Sequence, residues 1–185
     1  MKDVNELRKG VTYEADGNLY KVLEYQHHKP GRGKATIRVK IINMRTGAIT
    51  EPTFQSGDRV NDVNLDYHNV QYLYNDGISY HFMDTETYEQ PAISSEVIGE
   101  SAKYIKEGLE VKLTLYEGEA LDVELPITVD LEVIEAGVGI RGDTATGVTK
   151  KVTTETGLQV QVPNFVEAGD VIRVNTENGN YITRV

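Results

Sequence analysis

The sequence predicts an all-β fold made of three small barrels in a row. Short stretches that alternate apolar and polar side chains recur along the 185 residues, and this is the pattern of half-buried strands. Dipeptides that favour tight hairpin turns separate several of these stretches, as at Asp16-Gly17 and Asn178-Gly179. Because the strand patterns form three groups of roughly 60 residues each, we expect domains at 1–62, 63–127 and 128–185.

The first group contains strand patterns only. The segment at 35–41 is the clearest of them, since apolar side chains alternate there with polar or basic ones. Asp16-Gly17 and Thr46-Gly47 supply the turns. The predicted strands cover residues 11–14, 19–23, 35–41 and 48–50.

The second and third groups add one helix and more strands. A helix is predicted from Ser94 to Ile105, with a serine N-cap and Gly108 as the stop signal. Glu117-Gly118 joins two strands of the second group, and a polar loop runs from Gly142 to Thr149 in the third. The predicted strands cover 70–74, 78–83, 110–116, 120–125, 128–133, 158–162 and 171–174.

Composition excludes several classes of protein. The chain has no cysteine, so it forms neither a disulfide framework nor a thiolate metal site. Residues 1–6 lack the apolar stretch of a signal peptide, and no apolar run reaches the length of a membrane span. We therefore expect a soluble, cytoplasmic protein with no membrane partner.

Charge is distributed unevenly along the chain. Its net charge is −10, yet residues 1–62 carry 11 Lys and Arg against 8 Asp and Glu. Residues 63–127 carry 3 against 13, and residues 128–185 carry 5 against 8. The segment from Tyr25 to Thr50 contains no acid and six basic residues, beside His27 and His28. A basic end on an acidic body predicts an RNA partner for the basic end.

The centre of that basic segment is a predicted hairpin tip. Pro30-Gly31 suits the central positions of a type II turn, and Gly33 is a second permissive hinge. With flanking strands of about eight residues, the hairpin would project up to ~25 Å. Arg32 would stand at its end between Lys29 and Lys34. Arginine offers a planar, permanently charged group for phosphate or sugar, and glycines allow close approach.

Simpler interpretations remain open for this segment. A solvated hairpin whose charges only prevent edge pairing has the same composition. A phosphate-binding P-loop is excluded, because His28 stands where glycine is needed and Ala35 where Ser or Thr is needed.

The four histidines lack zinc-site spacing, and no catalytic nucleophile or carboxylate pair stands out. Four tyrosines of the acidic segment are predicted to pack rather than stack bases: Tyr67, Tyr72, Tyr74 and Tyr80.

At these residues the chain resembles the elongation factor P family along its whole length. Lys29 to Gly33 matches the family's Lys-Pro-Gly-x-Gly hairpin, and Arg45-Thr46-Gly47 continues the match. Further matching segments follow in the family's order and spacing. They are Thr53-Phe54, Leu125-Pro126-Ile127-Thr128-Val129, residues 142–147, Thr156-Gly157, residues 160–165, Gly169-Asp170 and Val174-Asn175-Thr176.

The resemblance implies an SH3-like (KOW-like) N-terminal barrel and two OB-folds, arranged in an L like a tRNA. It implies binding to both ribosomal subunits between the peptidyl-tRNA and exit sites, and relief of stalls at consecutive prolines. The factor would orient peptidyl-tRNA for reaction. It would not be an enzyme, and it would need neither metal nor cofactor. A monomer is expected.

The resemblance also assigns residues. Arg32 is the tip residue that would reach the CCA end of peptidyl-tRNA. An arginine at this position resembles the family subgroup in which a modifying enzyme attaches a rhamnose to the tip arginine. The loop that would face the small subunit near the exit site comprises Gly142, Asp143, Thr144, Thr146 and Gly147. The predicted RNA contacts of the hairpin are Lys29, Pro30, Gly31, Gly33 and Lys34 at the tip, with Arg38, Lys40 and Arg45 below it.

Three other classes compete with this interpretation. An elongation factor P-like paralogue would carry a longer tip loop than the compact one at Lys29 to Gly33. A stand-alone single-stranded RNA-binding OB protein would place basic, aromatic-lined faces in residues 63–185, where acids outnumber bases. A small hydrolase would need a convergent set of catalytic groups, which the sequence does not suggest.

Overall fold

A computed structural model describes residues 1–141 and 147–185 and confirms the all-β class. Strands form three sheets, and helical segments are short. The chain divides into two compact units, Met1–Asp66 with Tyr116–Leu121, and Tyr67–Leu115 with Asp122–Val185. The division into three domains at residues 62 and 127 stays a prediction.

The first sheet lies in the N-terminal unit, and a short 3₁₀ turn at Val4–Glu6 separates its first two strands along the chain. Its strand order is β1-β7-β2-β3-β4-β5, and β6 pairs with β4. The strands are β1 Lys2–Asp3, β2 Thr12–Ala15, β3 Asn18–His28, β4 Thr36–Asn43, β5 Ile49–Thr50, β6 Thr53–Gln55 and β7 Arg59–Asp62.

The turn between β2 and β3 forms as predicted. Asp16 and Gly17 have φ of 51° and 75°, and Ala15 pairs with Asn18 across the two-residue loop. Two positive φ values in such a loop define a type I′ turn, whose twist matches that of the strands. The sequence therefore specifies this hairpin locally.

The N-terminal core lies on one face of this sheet. Alternate residues of β4 point inward, so that Ile37, Val39 and Ile41 are buried together with Tyr13 and Val22. Burial raises the pKa of Tyr13 to about 12, with a further contribution from Tyr20. Burying each of these aliphatic side chains contributes about 1.5–3 kcal/mol before chain entropy is counted. The core thus supports the long strands β3 and β4.

The second sheet contains five strands in the order β10-β9-β8-β11-β12. Its Glu117-Gly118 turn forms as predicted, with φ of 49° and 82° in a two-residue type I′ loop. Val70, Phe82, Leu113 and Ile93 are buried here. The strands are β8 Asp66–Asn75, β9 Ser79–Asp84, β10 Ala92–Ser94, β11 Glu110–Tyr116 and β12 Glu119–Glu124.

The predicted continuous helix from Ser94 to Ile105 is wrong. The α-helix α1 covers only Ser95–Ile98, and a 3₁₀ segment follows at Gly99–Tyr104. Ser94 is the N-cap, as predicted, because its side chain accepts a hydrogen bond from the Val97 amide. Gly99 has φ of 51° and ends the α-helix after one turn.

The third sheet has the strand order β14-β15-β13-β17-β18, and β16 pairs with β15. The strand β15 was not predicted, because its inward positions include Lys150 and Thr154 beside Val152. The strands are β13 Thr128–Ala136, β14 Ile140–Arg141, β15 Val148–Thr154, β16 Gln159–Pro163, β17 Val171–Asn175 and β18 Tyr181–Arg184. In the described residues, no helix has the length and apolarity that crossing a membrane requires.

Candidate nucleic-acid interface

The candidate interface is the end of the β3–β4 hairpin. The two strands pair antiparallel from Tyr20 opposite Asn43 to His28 opposite Thr36. A bulge between Val22 and Glu24 interrupts this register. Bulges bend a strand and increase its twist, so the outer part of β3 takes a different direction from its base.

The hairpin does not stand free of the sheet as the ~25 Å estimate assumed. Strand β6 pairs with the outer half of β4, with Thr36 opposite Gln55 and Ile37 opposite Phe54. The amide of Ser56 also donates to the carbonyl of Ala35 at 2.9 Å. Consequently β4 is held up to its first residue, and only the loop at 29–35 extends beyond paired strands. A braced loop loses less entropy on binding than a free arm.

The loop itself departs from the predicted type II turn. Gly31 does not have the positive φ that the third position of such a turn requires, whereas Gly33 has φ of 106°. A Cβ at either glycine would meet no atom within 4 Å. Gly33 is therefore required by backbone conformation, and Gly31 leaves an open surface beside Arg32.

The three cations of the loop are exposed. Lys29, Arg32 and Lys34 all lie on the surface. Across residues 1–141 and 147–185, no carboxylate lies within 4 Å of their charged nitrogens, so none of the three forms a salt bridge there. Their charges are available to an anionic partner.

The two cations of β4 are instead paired with acids. Arg38 lies 2.8 Å from a carboxylate oxygen of Glu51, and Lys40 lies 3.4 Å from one of Glu24. Glu24 is opposite Lys40 in the strand register, so this pair joins β3 to β4. These carboxylates offset the positive charge of the outer strand face.

Arg45 is paired as well, and its partners are distant in sequence. Its Nη2 donates to Oε2 of Glu119 at 3.1 Å, and Nη1 donates to the Gly17 carbonyl at 2.9 Å. The hydrogen bond to Glu119, followed by that carboxylate's charge, raises the pKa of Arg45. Sequence patterns gave no signal for this contact, because 74 residues separate the two side chains.

The four tyrosines of the acidic segment differ in how far their rings are packed against other side chains. Tyr72 and Tyr80 pack against each other with ring centroids 5.8 Å apart, which confirms the packing prediction for them. Tyr74 is half exposed but stacks on His81 with centroids at 4.5 Å. Tyr67 is 62% exposed, so the packing prediction is wrong for that residue.

Two histidines of the second sheet lie within hydrogen-bonding distance of carboxylates. Nδ1 of His68 lies 2.6 Å from Asp84, and Nε2 of His81 lies 2.8 Å from Asp76. The amides of Thr87 and Glu86, and then His68, lower the pKa of Asp84 to about 2. Within the described parts of the chain, no group of three His, Asp or Glu residues is placed to hold a metal ion.

The second predicted interface, the loop at Gly142, Asp143, Thr144, Thr146 and Gly147, lies mostly outside the described residues. Of these, only Gly147 is described; it is exposed and has φ of 90°. Its flanking strands pair, with Ile140 opposite Thr149 and Arg141 opposite Val148.

Comparison with known proteins covers nearly the whole chain. Residues 3–60 match the elongation factor P (EF-P) KOW-like domain, residues 65–123 the EF-P OB domain, and residues 129–184 the EF-P C-terminal domain. The solved structure of eukaryotic translation initiation factor 5A from Methanococcus jannaschii is similar in fold, with a TM-score of 0.55 and 24% identity. That similarity covers 68% of this chain and 90% of the other.

Two relatives match from end to end. Elongation factor P of Moorella thermoacetica is 47% identical over 184 residues, and that of Pelotomaculum thermopropionicum is 47% identical over 185 residues. Both alignments cover 100% of this chain and 100% of the relative. The chain belongs to the elongation factor P family of translation elongation factors.

Proposed function

We propose that this factor binds the ribosome between the peptidyl-tRNA and exit sites and stimulates peptide-bond formation at consecutive prolines, with Arg32 at the CCA end of peptidyl-tRNA. One observation carries the proposal. Arg32 is exposed at the end of a braced hairpin, and among the described residues it has no carboxylate partner.

The chemistry of the tip suits an RNA end. The guanidinium of Arg32 presents several N–H donors in one plane, which fits two phosphate or ribose oxygens at once. Lys29 and Lys34 add flexible point charges for neighbouring phosphates. The absence of a side chain at Gly31 lets a nucleotide approach the backbone closely. The loop therefore combines an orienting group with two electrostatic ones.

The contribution to the reaction is positional. Proline is a poor partner in peptide-bond formation, and holding the reacting groups close to an attack geometry lowers the entropic part of the barrier. The bonds are made and broken in the ribosome, so the factor assists the reaction and is not itself an enzyme. Metal and cofactor play no part in this mechanism.

Arg32 is also the proposed site of modification. Its exposure allows a modifying enzyme to reach it, and a rhamnosyl group would extend its reach toward the CCA end. We expect mass spectrometry of the native protein to find any added mass on the peptide that contains Arg32. A modification located on Lys29 or Lys34 instead would contradict this assignment.

The decisive experiment is cell-free translation of a reporter with three consecutive prolines, in a system that lacks the endogenous factor. The Arg32→Ala variant is expected to lose stimulation by on the order of tenfold or more, because small losses of positioning are costly. A reporter without prolines measures general translation and should not change.

Arg59→Ala is the matched control. Arg59 is an exposed arginine of β7 in the same sheet, so its removal changes net charge equally but leaves the tip intact. Full stimulation by Arg32→Ala would overturn the role of the tip. Equal loss in both variants would point to general charge instead of to position 32.

A further inference from the structure

The turn between β4 and β5 carries an arginine whose backbone is held in place. Oδ1 of the buried Asn43 accepts hydrogen bonds from the amides of Arg45 at 2.9 Å and Thr46 at 3.1 Å. The Gly47 amide donates to the Asn43 carbonyl at 2.8 Å, and Gly47 has φ of 73°. This Asx-type turn fixes where the Arg45 side chain leaves the backbone.

The guanidinium of Arg45 joins two hairpin turns. Nη1 donates to the carbonyl of Gly17 in the β2–β3 turn, while Nε and Nη2 both donate to the carboxylate of Glu119. Glu119 directly follows the β11–β12 turn, and both turns are of type I′. Segment Tyr116–Leu121 belongs to the same compact unit as the N-terminal sheet, and Arg45 is a point at which they meet.

The surroundings of Arg45 argue against a phosphate ligand. Besides Glu119, the carboxylate of Glu14 acts on Arg45 and contributes to its raised pKa. An RNA phosphate at this position would face two carboxylates, and like charges repel at short range. The nitrogens of the guanidinium are also already used, since Nε and Nη2 donate to Glu119 and Nη1 donates to the Gly17 carbonyl.

We propose that Arg45 is a positioning residue that fixes the β11–β12 turn on the N-terminal sheet, and that it is not an RNA contact. The strand β4 that leads into Arg45 is the strand that also carries the tip loop. Holding the sheet on segment Tyr116–Leu121 therefore holds the tip relative to that segment. Arginine suits the position because its planar fork presents separate nitrogens to the carbonyl and to the carboxylate, whereas lysine has one ammonium nitrogen for both.

A charge-swap series read by hydrogen exchange tests the anchor without any translation assay. Arg45→Glu and Glu119→Arg are each expected to speed amide exchange in residues 116–121 by about two- to five-fold, as expected for loss of an exposed ion pair. The double variant restores the ion pair with reversed polarity but not the hydrogen bond to the Gly17 carbonyl, because a carboxylate cannot donate, and it should therefore recover most but not all of the original protection. Exchange in β17 serves as the internal control.

Translation then separates positioning from RNA contact, and this arm depends on the proposed function. If Arg45 is an anchor, both single variants lower stimulation of the proline reporter and the double variant recovers it. If Arg45 contacts RNA, Glu119→Arg keeps stimulation and the double variant stays defective, which overturns the proposal.

Arg45→Lys should give amide exchange rates between those of the original protein and Arg45→Glu. Lysine offers one donor nitrogen and is therefore expected to protect residues 116–121 only in part. Unchanged exchange in all variants would also refute the anchor. The exchange data do not depend on the proposed function. A failure of the proposed function would appear instead as full stimulation by the Arg32→Ala variant.

Discussion

The tip loop at 29–35 and the strand and turn at 36–47 contain the same number of cations, yet the structure uses them differently. Lys29, Arg32 and Lys34 are exposed and have no carboxylate partner among the described residues. The other three cations each bind an acid; they are Arg38, Lys40 and Arg45. A run of basic residues in sequence is therefore not equivalent to a basic surface.

The physical reason is that strands bring acids from outside the basic segment against it. Glu24 and Glu51 stand immediately before and after the acid-free window, and antiparallel pairing folds both back onto β4. Opposite charges within 4 Å cancel each other's field at longer range. Among the described residues, the three cations of this window that lack a carboxylate partner therefore all lie in the tip loop, which is the proposed RNA contact.

The largest expected effect on ribosome binding comes from removing the lysines of the tip. Lys29→Ala combined with Lys34→Ala should weaken ribosome binding on the order of tenfold at moderate salt, because two phosphate contacts are lost. The slope of log K against log salt concentration should fall by about 1.4 to 1.8. Titration of labelled factor with ribosomes at several salt concentrations measures both quantities.

The matched control removes the two cations of β4. Arg38→Ala combined with Lys40→Ala lowers the net charge equally but leaves Glu51 and Glu24 unpaired. The salt slope should change by less than about half as much as in the tip variant. Equal slopes for the two double variants would show that the strand cations contact RNA directly, and the contrast between tip and strand would be broken.

An ion pair with a buried lysine extends the comparison to a second effect, on stability. Lys150 is 5% exposed and its Nζ lies 2.8 Å from Glu167, whose side chain is 69% exposed. Glu167→Ala would leave a buried ammonium without its carboxylate, so the free energy of unfolding should fall by about 1–3 kcal/mol. Denaturant unfolding followed by circular dichroism measures the change. A loss below that range would mean that water replaces the carboxylate at no cost.

The smallest effect is expected at the exposed pair of the hairpin. Glu51→Ala removes the partner of Arg38, whose side chain is 61% exposed, and water can solvate the freed guanidinium. The same denaturation experiment should show a loss of only about 0.2–1 kcal/mol. If Glu51→Ala is as costly as Glu167→Ala, burial does not set the strength of these pairs.

Sequence patterns predicted the hairpins better than the helix. Asp16-Gly17 and Glu117-Gly118 form the turns expected of them, because glycine readily takes the positive φ that the second position of each turn requires. The helix after Ser94 was predicted too long, since Gly99 takes a positive φ in the middle of the apolar pattern. The strand β15 was missed because Lys150 occupies an inward position, where the acid that pairs with it comes from another loop.

The candidate site was predictable in part for the same reason. The exposed arginine between two glycines follows from residue types alone, because a short glycine-containing loop between strands leaves no room to bury a guanidinium. The bracing of the loop by β6 was not predictable, since it depends on which strand comes to lie beside β4. The same holds for the link from Arg45 to Glu119.

By itself the sequence determined the all-β class, the positions of the tight turns, the family and the identity of the tip residue. These properties depend on neighbours along the chain or on motifs that can be read in order. Only the tertiary structure decided which cations of the basic segment lack a carboxylate partner among the described residues and which are paired. That outcome depends on carboxylates brought within 4 Å by strand pairing and by a contact between distant hairpin turns, and electrostatic energy depends on distance in space, not on separation in sequence.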